Sequence, residues 1–243
     1  MSIRIFQASS LSSQQLISLD EKASHHLARV LRVRVGDEVI LFNGAGGEYT
    51  SVITRIDKKS VTVEVGVYSS QDRESALNIE LAQGIARGEK MDMIIQKAVE
   101  LGVKKITPLI SERSQVKLAE ERQEKRLQHW RSIVISACEQ CGRNRLPEIN
   151  APMSLTTWLA QVQADKAFVL SPHLTEKLAS AALSPAARIV VLIGPEGGLS
   201  ESEVQQALAR EFIPLNLGPR VLRTETATVS ALSVLQYSYG DMG

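Results

Sequence analysis

Two loops in the last third of the chain carry the residue types and spacing that could do chemistry. Gly218-Pro-Arg-Val-Leu-Arg-Thr-Glu-Thr-Ala227 leads a Gly-Pro turn straight into a helix start and sets Arg220, Arg223 and Glu225 close together. Upstream, Ile189-Val-Val-Leu-Ile193 runs into Gly194-Pro-Glu-Gly-Gly-Leu199 and then Ser200-Glu-Ser-Glu203, which reads as a buried strand, a loop and a capping box. Glycines let backbone approach a flat ligand without Cβ collisions, while Pro195 and Pro219 fix φ and reduce the entropy lost on ordering. The two loops together suit one pocket for an adenosine-like cofactor. Neither is a phosphate cradle, because the first lacks the Lys-Ser/Thr ending of a P-loop and its glycine spacing is not that of a dinucleotide site.

These loops need elements to hold them. Apolar runs at Leu77 to Gln83, Lys105 to Ile110, Ala167 to Leu170, Arg188 to Ile193 and Ile213 to Leu217 alternate with helical patterns, which argues for an α/β fold with a mainly parallel sheet. Met91, Ile94, Ile95, Ala98 and Leu101 form one helical face that ends at Gly102; Leu127, Trp130, Val134 and Ala137 form another. Both stripes read as packing faces. Before the polar stretch Tyr68 to Ser75, short β patterns at Glu38 to Phe42, Glu48 to Ile53 and Val61 to Val67 suggest a small β-barrel, with Asn43-Gly-Ala-Gly-Gly47 as a hairpin turn. The boundary is expected near Arg73, giving residues 1–72 and 73–243.

Composition narrows the setting. With 28 Lys and Arg against 27 Asp and Glu, the formal charge is +1, so nucleic-acid binding has to come from local basic patches. No apolar run approaches the roughly 20 residues that span a bilayer, and the first residues do not form a secretory signal, so a cytoplasmic, membrane-free protein is expected. The only cysteines, Cys138 and Cys141, lack the further ligands of a zinc site, and no metal is expected.

The two glycine loops, together with Arg87-Gly-Glu-Lys-Met-Asp92, Gln96-Lys-Ala-Val-Glu-Leu-Gly-Val103, Ile106-Thr-Pro-Leu109, Ser111-Glu-Arg113 and Ala137-Cys-Glu-Gln-Cys-Gly-Arg-Asn-Arg145, resemble the SPOUT methyltransferases. Within them the resemblance, which runs the length of the chain, is to the bacterial 16S ribosomal RNA (uracil N3) methyltransferase family. It implies a PUA-like RNA-binding barrel followed by a trefoil-knotted domain, against the general rarity of knots. It also implies S-adenosyl-L-methionine as cofactor, a homodimer, and 16S rRNA, within the small ribosomal subunit, as substrate. The cofactor would be held by Leu170, Ile193, Gly194, Glu196, Gly198, Leu217, Gly218, Leu222, Arg223 and Thr224, with the loop after Leu170 as a third wall.

Methylating uracil N3 requires that nitrogen to ionise about two pKa units below its own value, so about 3 kcal/mol of preferential anion stabilisation is needed at neutral pH. Arg223 and Arg143 are the candidate cations, Arg143 acting in trans from a flexible Gly142-Arg-Asn-Arg145 loop, as an oxyanion hole would. Glu225, Glu139 and Glu196 are the candidate bases, unranked by sequence, and Glu225 is equally suited to the first turn of a helix. RNA contacts are expected from Arg29, Arg32 and Arg34, with alternation placing Arg32 and Arg34 on one strand face, and from Arg87, Lys90, Arg113, Arg143 and Arg145. Two other readings stand beside this one: a non-catalytic RNA-binding assembly factor, and a related enzyme acting on another RNA such as transfer RNA.

Overall fold

The computed structural model describes residues 2–114, 120–171 and 187–243. The chain divides into two compact units, Met1–Glu74 with Cys138–Leu146, and Ser75–Ala137 with Pro147–Gly243. The first cut falls between Glu74 and Ser75, at the end of the polar stretch. The return of Cys138–Leu146 to the smaller unit had no counterpart in the sequence reading.

In the smaller unit come β1 (Arg4–Phe6), β2 (Leu16–Ser18), α1 (Glu21–His25), which continues as a π-helical turn over His26–Leu31, β3 (Glu38–Phe42), β4 (Glu48–Ile56) and β5 (Val61–Ser69). The sheet order is β1-β3-β4-β5-β2, antiparallel apart from the β1–β3 pair. Alternation makes this sheet one-sided: Val61, Val63 and Val65 are buried and join Ile5, Leu27, Val39, Leu41 and Ile53 in the core. Asp20 caps α1 by accepting the Ala23 N–H at 2.8 Å. The expected strand through Arg32 to Val35 is absent. Arg32 instead ends the π-helical turn at φ 54°, and Val33 alone is buried there.

The larger unit contains β6 (Asn78–Gly84), α2 (Glu89–Glu100), β7 (Lys105–Ile110), most of α3 (Glu120–Cys141), β8 (Glu148–Ile149), β9 (Met153–Ser154), α4 (Leu155–Gln161), β10 (Lys166–Leu170), β11 (Arg188–Ile193), α5 (Glu201–Leu208), β12 (Ile213–Leu215) and α6 (Thr224–Tyr239). Its sheet runs β12-β10-β11-β6-β7-β8, with β9 also pairing β7, and every pair is parallel. Continuous apolar runs suit such strands, which are covered on both faces; Ile189 to Ile193 are all buried. Met91, Ile94, Ile95 and Ala98 of α2 are buried, and Gly102 stops the chain at φ +77°. Among the described residues a charge lies on a central strand of this sheet. Glu80 on β6, 3% exposed, accepts from Thr107 Oγ1 at 2.8 Å, Trp158 Nε1 at 3.2 Å and Arg188 Nη2 at 3.1 Å, so its desolvation is matched by donors. No helix among the described residues is long and apolar enough to cross a membrane.

Candidate active site

A parallel sheet delivers all its strand C-termini to one edge, and loops leaving that edge converge on a crevice there. Here β10 ends at Leu170, β11 runs into the Gly194–Leu199 loop, and β12 is followed by the 216–223 segment that enters α6. A cavity of about 630 Å³ lies between them. Leu170, Ile193, Leu199, Val221 and Leu222 give it apolar walls, while Gly194, Glu196, Gly197, Gly198 and Thr224 contribute polar backbone and side-chain atoms. A smaller recess of about 60 Å³ adjoins it, lined by Leu170, Leu217, Gly218, Val221 and Leu222. The larger volume falls within the roughly 300–1,000 Å³ of small-molecule sites.

The loop shape follows from close backbone contacts. A Cβ on Gly194 would stand 2.7 Å from the Leu199 nitrogen, and one on Gly84 would stand 2.5 Å from the Pro195 nitrogen, so only glycine lets β6 and β11 end side by side under this loop. Gly198 is different. It lines the cavity at φ +69°, and the space where its Cβ would go holds nothing within 4 Å, leaving room for a ligand to approach backbone. Ser200 and Glu203 form the expected capping box, which fixes the far side of the loop on α5.

A buried polar lock, not foreseen from the sequence, fastens the near side. Gln83, fully buried at the end of β6, directs Nε2 at Gly84 O (2.9 Å), Gly194 O (3.2 Å) and Thr224 Oγ1 (3.0 Å), and accepts from Thr228 Oγ1 at 2.8 Å. The Thr224 hydroxyl in turn donates to Gly194 O at 2.7 Å. One side chain thus ties together the ends of β6 and β11 and the first turn of α6. The only trace of it in the sequence was an amide, Gln83, standing next to Gly84 where β6 ends.

Charges gather at the rim. Glu196 accepts the Arg87 N–H at 3.0 Å and pairs with Lys90 at 3.5 Å. Burial acts to raise its carboxyl, but those N–H groups and the Lys90 ammonium outweigh it and hold the group below its ordinary value. Glu196 is thereby an anchored anion, a poor base. Arg113, expected as an RNA contact, lines the cavity and donates to Gly197 O at 3.2 Å. Arg223 is the N-cap of α6, exposed between cavity-lining Leu222 and Thr224, and among the described residues its side chain has no hydrogen bond or ion pair. Glu225 sits in the first turn of α6 with Oε2 buried and, among the described residues, unbonded. The stretch that follows Ser171, expected as a third wall, lies outside the described residues.

Leu170, Ile193, Gly194, Glu196, Gly198, Leu222 and Thr224 therefore come together around the larger cavity, and Leu217 and Gly218 around its recess. Arg143 does not fit the expected mobile cation. It is 3% exposed in the smaller unit, and its Nε donates to Glu74 Oε1 at 2.9 Å in a buried ion pair. Asn144 is equally enclosed, accepting from Arg4 and donating to Glu48 Oε2 at 3.1 Å, so the Gly142 to Arg145 segment is anchored, with Arg145 alone exposed. Glu139 is also in the smaller unit, accepting the Phe6 N–H at 3.0 Å, and burial raises its carboxyl. Arg29, Arg32 and Arg34 are exposed on and just beyond the π-helical turn.

Residues 73–236 match the RNA methyltransferase domain family, and residues 19–66 match the RNA methyltransferase PUA domain. Ribosomal RNA small subunit methyltransferase E of Buchnera aphidicola (Acyrthosiphon pisum) is 36% identical over 98% of this chain and 94% of that protein; the Bacillus subtilis protein of the same name is 31% identical over 93% and 94%. A putative methyltransferase from Legionella pneumophila, solved with bound cofactor SAM, superposes with a TM-score of 0.95 at 43% identity over 99% of both chains. Ribosomal RNA small subunit methyltransferase E from Neisseria gonorrhoeae, bound to S-adenosyl methionine, gives 0.92 at 38% identity over the whole of both. The two glycine loops around one cavity are thus set in a chain that belongs, over nearly its full length, to the RNA methyltransferase family of ribosomal RNA small subunit methyltransferase E.

Proposed function

We propose that this chain uses S-adenosyl-L-methionine to methylate N3 of a uridine in 16S rRNA of the small ribosomal subunit, in the cytoplasm. The observation that carries this reading is the cavity between the Gly194–Leu199 loop and the start of α6, which has the volume, the apolar walls and the open glycine backbone that an adenosine moiety requires. Leu170, Ile193 and Leu222 would enclose the cofactor, and the backbone of Gly194 to Gly198 would read its polar edge. When bound, the cofactor supplies an activated methyl group on a sulfonium centre.

The protein's task is then to favour the uracil anion. Arg223 serves this purpose: it is fixed by the turn before it, exposed beside the cavity, and without a carboxylate partner among the described residues. Its guanidinium at a uracil oxygen would stabilise charge that develops only on ionisation. Glu225, in the first turn of the same helix with a carboxylate oxygen that is unbonded among the described residues, is the candidate to accept the proton. Arg143 is withdrawn from this chemistry by its buried pair with Glu74.

RNA would be held by Arg29, Arg32, Arg34 and Arg145 of the smaller unit and by Arg87, Lys90 and Arg113 near the cavity rim. We also propose the trefoil knot for the larger unit and a homodimer. The sheet order supports the first, since the chain passes from β11 across β10 to β12 before α6 comes back to pack on α2 and β11. Exposed Val234 and Tyr237 on α6 and Met93 on α2 support the second. The test is incubation with labelled S-adenosyl-L-methionine and small subunits from cells lacking this enzyme, followed by nucleoside mass mapping. N3-methyluridine at one 16S rRNA position is expected, and its absence, or label in transfer RNA only, would refute the reading.

A further inference from the structure

The hairpin turn Asn43 to Gly47 does more than reverse the chain. A Cβ on Gly46 would lie 2.7 Å from Arg145 Nη2, and one on Gly47 would lie 2.3 Å from the Tyr68 hydroxyl. An arginine and a tyrosine therefore rest on neighbouring stretches of bare backbone. Both glycines have positive φ, +103° and +71°, so other residues would be strained there as well as obstructed.

The arginine is held in place. Asn144 O accepts the Gly46 N–H at 3.1 Å, Ala45 and Arg145 form an isolated antiparallel bridge, and the buried side chains of Arg143 and Asn144 are bonded to Glu74 and Glu48. Two enclosed anchors thus precede one exposed arginine, and among the described residues Arg145 has no carboxylate partner. Tyr68 remains 50% exposed, with its ring 5.1 Å from that of Tyr49 at 57°. The Tyr49 hydroxyl is occupied by Leu11 O at 2.9 Å, whereas the Tyr68 hydroxyl has no hydrogen-bond partner among the described residues. A half-exposed aromatic ring beside an unpaired guanidinium is the combination with which proteins stack an unpaired base and neutralise its phosphate.

From this geometry we infer that Tyr68, Arg145 and the glycine turn form a subsite for an unpaired nucleobase of RNA, separate from the methyl-transfer cavity. The inference rests on the RNA-methyltransferase reading above, and Arg143 is a positioning residue within it. The subsite is tested with the full-length protein and a short single-stranded RNA containing 5-iodouridine, irradiated and mapped by peptide mass spectrometry, alongside binding titrations. A crosslink at Tyr68 is expected. Tyr68→Ala should weaken single-strand binding about tenfold, from the loss of one stacked base, while leaving blunt duplex RNA unaffected. Tyr68→Phe should bind as wild type, and Arg145→Ala should lower the salt slope by about one. Tyr68→Leu keeps apolar bulk if the alanine variant misfolds, and cofactor affinity reports on folding of the larger unit.

Unchanged affinity of Tyr68→Ala, equal losses on duplex RNA, or a phenylalanine variant as weak as alanine would overturn the subsite. So would a defect confined to assembled subunits, which would mark a protein contact. A wild-type protein that methylates small-subunit RNA with no dependence on Tyr68 sinks this inference alone. One that shows Tyr68-dependent binding and methylates nothing sinks the preceding reading instead.

Discussion

Gln83 offers the sharpest test of how the cofactor site is held. Gln83→Met keeps length and bulk but deletes the four hydrogen bonds to Gly84, Gly194, Thr224 and Thr228. The two Nε2 hydrogens are shared among three acceptors, so about three full bonds are lost, and at about 0.5–1.5 kcal/mol net each they sum to about 1.5–4.5 kcal/mol. The surviving bonds lower that figure, because Thr224 still donates to Gly194 O and Thr228 to Thr224 O. A loss of about 2–3 kcal/mol is therefore expected, which corresponds to a melting shift of about 4–12 °C for a chain of this size. The freed Gly194 loop must also be ordered at each binding event, so affinity for S-adenosyl-L-methionine should fall about tenfold or more, about 1.4 kcal/mol. Differential scanning calorimetry and isothermal titration calorimetry measure the two effects. Gln83→Ala should be worse in stability by a cavity contribution of its own. If Gln83→Met melts and binds cofactor as wild type does, the lock is a bystander and the argument for it fails.

Arg223→Ala should slow single-turnover methyl transfer by about 100-fold with little change in cofactor affinity, the scale of losing one oxyanion-hole donor; its rate should keep rising with pH where wild type levels off, and a profile matching wild type would make Arg223 a surface charge. Arg143→Ala should destabilise the smaller unit by about 3–5 kcal/mol by stranding Glu74, with cofactor affinity intact; a catalytic defect in a protein of unchanged stability, measured by denaturant unfolding, would restore the discarded role. Glu139 has its folded pKa raised by burial, so its contribution to stability is present below pH 4.5 and is lost as pH rises through the folded value. Glu139→Gln, which can still accept the Phe6 N–H, should thus gain stability at neutral pH and flatten the stability profile above pH 4.5; pH-dependent melts in which the two proteins run parallel would exclude this.

The parts of the fold that the sequence displayed were those with enough residues to show a period. β3, β7 and β11 have the bounds their apolar runs marked, and both helical stripes are buried except for Leu101, which caps α2 half-buried. β1 and β2 have three residues each, too few to show alternation. Arg32-Val33-Arg34-Val35 imitated a strand because its alternation is real, but Val35 is 62% exposed and Arg32 is left-handed, so a helical turn prevailed over the pattern. At the site, glycine spacing identified both loops, since steric needs are local. What holds them is not local: Gln83 meets Thr224 and Thr228 across about 140 positions of chain, and Glu74 captures Arg143 across 69. Spacing cannot reveal such partners, and Arg143 was read as a reaching side chain for that reason.

The smaller unit is assembled from two separated stretches, and this bears on how the protein is made. As the chain leaves the ribosome, residues 2–74 emerge with Glu48, Glu74 and Arg4 already present, while Arg143 and Asn144 follow only after residues 75–137. Vectorial synthesis would normally let an N-terminal domain finish first. Here its completion must wait for the helix that returns to it, and a gene fragment cut at the apparent boundary would keep Glu48 paired with Arg4 and Arg73 but strand Glu74 without Arg143.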